Sequence, residues 1–390
     1  MKKLLTGLAG LILAVGGLEP VKAAVIVLEP TAGPLSIYDT GGLLNSPPGL
    51  DCTPGNLPNI PTDRPFYMGG LEVAPDGSGV FVTQSNNLPC NDFFDHPSTL
   101  NRLIKSTGLG TASQVGPILE AGNNGTWGND LTLGPEGLYY IATNKGVWGF
   151  DPAGGSPRQF AGGETIWTAS GLTFTPDGNT AIISSDWPKG LWSVPKGGSI
   201  NNLQALIPVI PREAWDDHVV TRDGKLLMMG DNASELIEVL PDGRLQDVFR
   251  FRDYIDVRSY FRGNSYGSRG TVDPITGDIF YAVSFESPSS SIIRIKSDFS
   301  GAIPFATGFA EDLRDLDFGP SSSGRLGEIS LYVSENNRAT GVGTIYEIGV
   351  GSTAVPEPSE TILGSIMVLG FGVLFKRKLS KKQKKLKKKS

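Results

Sequence analysis

The chain of 390 residues carries 34 Lys and Arg against 40 Asp and Glu, with only two cysteines and two histidines. The basic residues crowd the two ends, so residues 24–354 hold 21 basic and 37 acidic side chains, a formal charge of −16. So acidic a body repels polyanions, which excludes nucleic-acid binding through any broad patch. Sparse Cys and His, without a Cys-x-x-Cys pair, argue against a zinc centre.

At the N-terminus, Lys2 and Lys3 precede an apolar run from Leu4 to Leu18, and Val21-Lys22-Ala23 has the form of a signal-peptidase site. Residues 1–23 are expected to be a signal peptide and the chain to be exported. In an exported protein the natural reading of Cys52 and Cys90 is one disulfide pinning a loop to the first folded unit; the alternative is two unpaired small hydrophobes.

The body repeats. Six segments share one pattern: GLEVAPDGSGVFVTQ from Gly70, DLTLGPEGLYYIATN from Asp130, GLTFTPDGNTAIISSD from Gly171, DHVVTRDGKLLMMGD from Asp217, RGTVDPITGDIFYAVS from Arg269 and DLDFGPSSSGRLGEISLYVSE from Asp315. Each reads as a short alternating strand, a Pro-Asp-Gly type turn and a second apolar strand. Proline presets φ and glycine accepts positive φ, so the turn has a physical cause. A third strand follows each copy, as in GLWSVPKGG from Gly190, and a weaker fourth follows five of them, as in RLQDVFRF from Arg244.

Four antiparallel strands per unit, repeated six times, predict an all-β fold, a six-bladed β-propeller over residues 24–350 with a blade-one insertion at about 85–100. The sixth copy lacks a fourth strand. AVIVLEP from Ala24 or LSIYDT from Leu35 is free to supply it and close the ring, leaving no unpaired edge. The alternatives are a seventh blade within 85–113 or an open sandwich. The repeats resemble the NHL-like and gluconolactonase-like six-bladed propellers over roughly Tyr67 to Ile348, a resemblance that speaks to fold more than to activity.

Aligned on the first turn residue (Pro75, Pro135, Pro176, Arg222, Pro274, Pro320), the hairpins give columns. Two and four positions before it the residues are mostly apolar and should pack between blades. Five positions before it stand Gly70, Asp130, Gly171, Asp217, Arg269 and Asp315. Inner strands converge on the central channel, so three aspartates and one arginine should face each other. Such a ring either binds a cation, calcium being the one that prefers carboxylate oxygens, or is neutralised by Arg269 in an ion-pair network. Asn129 and His218 flank this column and could turn to the same axis; they complete the candidate metal set of Asn129, Asp130, Asp217, His218 and Asp315. A second polar column, Gln84, Asn144, Asp186, Asp231, Ser284 and Glu335, ends the second strands, where polar residues commonly cap a strand. In gluconolactonase-like enzymes a channel metal polarises a sugar lactone, which the resemblance extends to this chain as an alternative activity. The family's ligand set does not map residue by residue, and His96, the other histidine, lies in the insertion.

No Gly-x-Ser-x-Gly elbow, P-loop or His-Glu-x-x-His occurs. No catalytic residue is assigned, and the leading expectation is a binding or matrix-associated module.

The tail has a different character. Pro356-Glu357-Pro358 in a linker over 351–360, an apolar segment over 361–375, and Lys376-Arg377-Lys378 opening a basic tail over 376–390 resemble the PEP-CTERM sorting signal. The apolar segment would be about 22 Å long as a helix, short of a ~30 Å hydrocarbon core but able to span with snorkelling lysines. It is the expected single transmembrane helix, with the basic tail cytoplasmic and the propeller outside. The resemblance implies processing by an exosortase near the Pro-Glu-Pro, transient anchoring in the inner membrane, and delivery to the cell surface or an extracellular polysaccharide.

Overall fold

The computed structural model describes residues 25–29, 32–45, 67–85, 100–120, 130–143, 146–163, 169–175, 177–186, 189–202, 204–206, 215–230, 235–254, 265–285, 290–309, 313–325, 327–337 and 340–350. The signal peptide, Cys52, Cys90, His96, Asn129, the Pro356-Glu357-Pro358 motif, the apolar segment and Lys376-Arg377-Lys378 lie outside them. Among the described residues no helix is long and apolar enough to cross a membrane.

Among the described residues the regular structure is strand, apart from short 3-10 turns. After β1 (Ile26–Val27) and β2 (Leu35–Thr40) the chain lays down blade 1 as β3 (Tyr67–Val73), β4 (Val80–Ser85), β5 (Leu100–Ser106) and β6 (Ser113–Glu120). Blade 2 is β7 (Thr132–Leu133), β8 (Tyr139–Thr143), β9 (Gly146–Phe150) and β10 (Arg158–Ala161). Blade 3 is β11 (Ala169–Phe174), β12 (Thr180–Asp186), β13 (Lys189–Pro195) and β14 (Gln204–Ala205). Blade 4 is β15 (Trp215–Val220), β16 (Leu226–Gly230), β17 (Glu235–Val239) and β18 (Leu245–Arg250). Blade 5 is β19 (Ser265–Val272), β20 (Ile279–Phe285), β21 (Ser290–Ile295) and β22 (Ala302–Phe309), and blade 6 begins with β23 (Leu313–Pro320), β24 (Ile329–Asn336) and β25 (Gly343–Gly349).

Every blade is an antiparallel meander, and these six sheets make the ring a six-bladed propeller. The segment 100–120 that could have belonged to a seventh blade supplies the third and fourth strands of blade 1. The predicted turns form as their residues dictate. In blade 1, Ala74 N–H donates to Gly79 O at 2.9 Å while Gly77 takes φ of 70°. The Asp of that turn caps it, Asp76 Oδ1 accepting the Ser78 N–H at 2.9 Å.

Both candidate N-terminal segments are used, on different blades. β2 pairs with β25 and completes blade 6, with Leu35 opposite Ile348. β1 instead adds a fifth strand to blade 5, with Ile26 opposite Thr307. The first described residues thus wrap two adjacent blades. They are held there by Arg294, which bridges Glu29 at 2.5 Å and Asp278 at 2.8 Å. Asp39 on β2 reaches blade 1, accepting from Ser106 Oγ at 2.5 Å and the Gly110 N–H at 2.7 Å.

The core lies in the seams between blades rather than in one centre. Six apolar clusters correspond to the six seams, including a stacked Phe81–Tyr139 pair, centroids 4.0 Å apart, between blades 1 and 2. Leu71, Leu131, Leu172 and Leu316, four positions before the turn, are all buried as the column predicts. Val220, two positions before it in blade 4, departs from the pattern and is exposed, while its neighbour Val219 packs into the seam with blade 5.

Candidate functional site: the channel axis

An inner strand is a sheet edge, so its N–H groups that face away from the second strand need partners. The aspartates five positions before the turn supply them. Asp130 Oδ2 accepts from the Leu172 N–H at 2.9 Å, Asp217 Oδ2 from Gly270 at 3.0 Å, and Asp315 Oδ2 from Leu71 at 2.6 Å. Each donor lies on the following blade. Blade 2 is thereby tied to blade 3, blade 4 to blade 5, and blade 6 to blade 1, a threefold alternation that the order Gly, Asp, Gly, Asp, Arg, Asp in the sequence encodes. The second oxygen of each bonds its own strand: Asp217 Oδ1 accepts from His218 N–H at 2.7 Å and Asp315 Oδ1 from Leu316 at 2.8 Å, and Asp130 accepts from Leu131.

Two further acids, missed in the sequence, repeat this geometry one step along. Asp317 Oδ2 accepts from the Val73 N–H at 2.9 Å and Glu72 from Leu133. They stand three positions before the turn, on the same face of the strand as the aspartate column, so the period-2 alternation carried the signal. Asp217 and Asp315 are buried, whereas Asp130, Glu72 and Asp317 are half-buried along the channel.

The charge of Arg269 acts on Asp130, Asp217 and Asp315 alike. Burial pushes Asp130 up to about 6 against the pull of its backbone donors and of Arg269. Asp317 rises likewise to about 6, and Asp217, Asp315 and Glu72 are held well above the usual carboxylate range, first by burial and then by one another's charge.

His218 stands in the column otherwise filled by Leu and Gly, 5 % exposed, and neither ring nitrogen has a hydrogen-bond partner. Burial lowers its pKa to about 4, which keeps the imidazole neutral. It is thus a packed histidine but not a satisfied one. Gly171 opposite explains the local fit. A Cβ there would meet Ser184 Oγ at 2.4 Å, Asp217 Oδ1 at 2.7 Å and His218 Nδ1 at 2.9 Å, so three polar atoms close on the space that a side chain would occupy.

The described members of the candidate set, Asp130, Asp217, His218 and Asp315, are not arranged as a calcium cage. The oxygens of the three aspartates already accept backbone N–H groups, Arg269 presents a cation to the same cluster, and calcium needs six to eight oxygens converging on one point. Among the described residues no group of three or more His, Cys, Asp or Glu is placed to hold a metal ion. Of the second polar column, Gln84 is tied into blade closure, donating to Leu43 O at 2.7 Å and accepting from Arg102 Nε at 2.8 Å. Glu335 is buried and bonds Tyr346, while Asn144, Asp231 and the side chains of Asp186 and Ser284 are outside the described residues.

No family model and no curated protein matches the chain. Among solved structures it is similar to a putative gluconolactonase, at 13 % identity over 84 % of this chain and 97 % of that one, with a TM-score of 0.48. It is also similar to a calcium-binding protein, regucalcin, from Agrobacterium tumefaciens, at 16 % identity over 82 % and 97 % of the chains with a TM-score of 0.47. The periplasmic gluconolactonase of Pseudomonas aeruginosa gives 12 % identity over 73 % and 86 %, with a TM-score of 0.44. Likenesses of this size carry nothing about substrate or ligand, and the blade count rests on the six sheets themselves.

Proposed function

We propose that the protein is an exported, surface-sorted propeller that serves as a binding or matrix-associated module, with an extracellular polysaccharide as its partner class. Its tail, in this reading, holds it transiently in the inner membrane through the segment 361–375 until an exosortase cuts near Pro356-Glu357-Pro358 and signal peptidase has removed residues 1–23. The observation that carries the non-catalytic part is the engagement of the channel carboxylates. Asp130, Asp217 and Asp315 each hold a backbone N–H of the next blade, which gives these carboxylates a task in tying the blades together that needs neither substrate nor metal.

Two measurements test this. Calorimetric titration of the processed protein with calcium, alongside a screen of sugar lactones, should give neither binding nor turnover, while envelope polysaccharide should be retained in the presence of chelator. Micromolar calcium binding that raises the melting temperature and is lost in Asp217→Asn, together with lactone turnover, would replace this reading with a calcium-dependent lactonase. Separately, replacing Pro356-Glu357-Pro358 by alanines should leave unprocessed protein in the inner-membrane fraction; unchanged delivery to the surface would sink the sorting claim.

A further inference from the structure

The described chain enters and leaves the propeller at one place. The Gly33 N–H donates to Gly349 O at 2.6 Å, the Gly349 N–H donates back to Pro34 O at 3.2 Å, and Val25, Val27 and Val350 all pack on the apolar seam between blades 5 and 6. Ten residues, 351–360, separate Val350 from the apolar segment at 361–375. Fully extended, they reach about 35 Å, so a chain anchored through that segment keeps this seam within that distance of the bilayer.

The strands flanking the seam also carry apolar side chains in water. Of the nine large hydrophobic residues left exposed among the described residues, four lie here: Ile26 (55 %) and Leu28 (42 %) along β1, Ile37 (55 %) on β2 and Ile303 (45 %) on β22. Alternation explains the first two. Val25 and Val27 turn into the seam, so Ile26 and Leu28 face away from it, on a strand whose pairing continues through the Leu28 N–H to Phe305 O at 2.8 Å. β1 and β2 are the outermost strands of blades 5 and 6, and Ile303 lies beyond the stretch of β22 that β1 covers. With a formal charge of −16 on residues 24–354, attraction to anionic headgroups does not seat this flank, which leaves apolar contact to do so.

We propose that the flank built by β1, β2 and β22 is a membrane-docking surface, which rests on the exported-side leaflet while the tail anchors the chain, with Ile26, Leu28, Ile37 and Ile303 entering the boundary of headgroups and acyl chains. The docking rests on the anchoring through 361–375 proposed above. Four separate apolar side chains bind weakly, and the tether supplies the local concentration that makes the contact persist. Cutting the chain near Pro356-Glu357-Pro358 removes the tether, so the cut that severs the protein also frees the flank.

The full chain without residues 1–23, reconstituted through its tail in phosphatidylcholine vesicles that hold a small share of photoactivatable phosphatidylcholine, tests this once illuminated and mapped for lipid adducts by mass spectrometry. Adducts are expected on 361–375 and on β1, β2 and β22, but not on blades 2 and 3. Severing the linker with a protease before illumination should lower the yield on the flank about a hundredfold, as the tether's contribution is lost. The combined variant Ile26→Ser, Leu28→Ser, Ile37→Ser and Ile303→Ser should lose the flank adducts and keep those on 361–375; if its melting curve shows that it does not fold, Ile26→Ser and Ile303→Ser alone should each lower the flank yield. Adducts on 361–375 with a flank labelled no more than blades 2 and 3 would overturn the docking and leave the anchor standing. Absence of adducts on 361–375 would remove the anchor and the docking with it. Flank adducts that appear only with added phosphatidylglycerol and vanish in salt would make the contact electrostatic, and flank adducts that disappear as protein density in the vesicles rises would make a second copy the occupant; either overturns the proposal.

Discussion

Gly171 and His218 face each other across the seam of blades 3 and 4, and they make opposite predictions. Gly171→Ala forces a methyl to within 3 Å of Ser184 Oγ, Asp217 Oδ1 and His218 Nδ1, so something must shift. We expect a loss of about 2 kcal/mol in chemical denaturation, the scale of overpacking. His218→Leu should act the other way. A buried imidazole with no partner carries an uncompensated desolvation cost, and leucine is what the equivalent column holds in blades 1, 2, 3 and 6. A gain of roughly 1 kcal/mol and a higher melting temperature are expected. A lower melting temperature would instead mean that His218 serves a partner. The aspartate column was legible from the repeat alignment; the engagement of its oxygens was not, because bonds to the next blade's backbone depend on how adjacent blades are rotated, which no single hairpin encodes.

Among elements, β1 and β2 close the ring in two places. The lack of a fourth strand in the sixth repeat called for an N-terminal strand to close it but left the segments of β1 and β2 as equal candidates, and the role of β1 on blade 5 could not be read from a two-residue strand. Its position is fixed by Glu29, whose Arg294 partner is 265 residues away. Asp39→Ala should cost about 2–3 kcal/mol, since it strips an acceptor from the Ser106 hydroxyl and the Gly110 and Thr40 N–H groups in a buried site. Arg294→Ala should cost about 2 kcal/mol, less than a fully buried pair because the guanidinium is 23 % exposed. Equilibrium unfolding of the two variants checks both values, and partial proteolysis near residue 34 in Arg294→Ala would show release of the first strand alone.

For the whole molecule, the axis sets how stability depends on pH. Asp130 and Asp317 bind protons more tightly when folded, at about 6 against 3.8 for an exposed aspartate. Their contribution is complete below the unfolded value and is lost as pH rises through about 6. His218 runs against them, because its folded value of about 4 lies below its unfolded 6.5, so stability from that residue grows over the same range. The carboxyls outnumber the imidazole, and the raised Asp217, Asp315 and Glu72 add to the same trend, so the melting temperature should fall as pH rises from 5 to 7. His218→Leu should make the fall steeper; a melting temperature that climbs through this range would contradict the placement of protons at the axis. That balance was invisible in the whole-chain charge of −6, which sums a basic tail with an acidic body.

The meeting of Gly33 with Gly349, where the Gly33 N–H donates to the Gly349 carbonyl at 2.6 Å, also imposes an order in time. Thr40 and Thr344 touch across 304 positions of sequence, a contact of the longest kind the fold contains, and such contacts form last because the intervening chain must already be compact. A chain made from its N-terminus exposes β2 before any strand of the six repeats and supplies β25 after all the other described strands. Until then the sixth blade has no outer strand, and one of the earliest strands to emerge must wait, solvent-exposed, for the last strand of the ring.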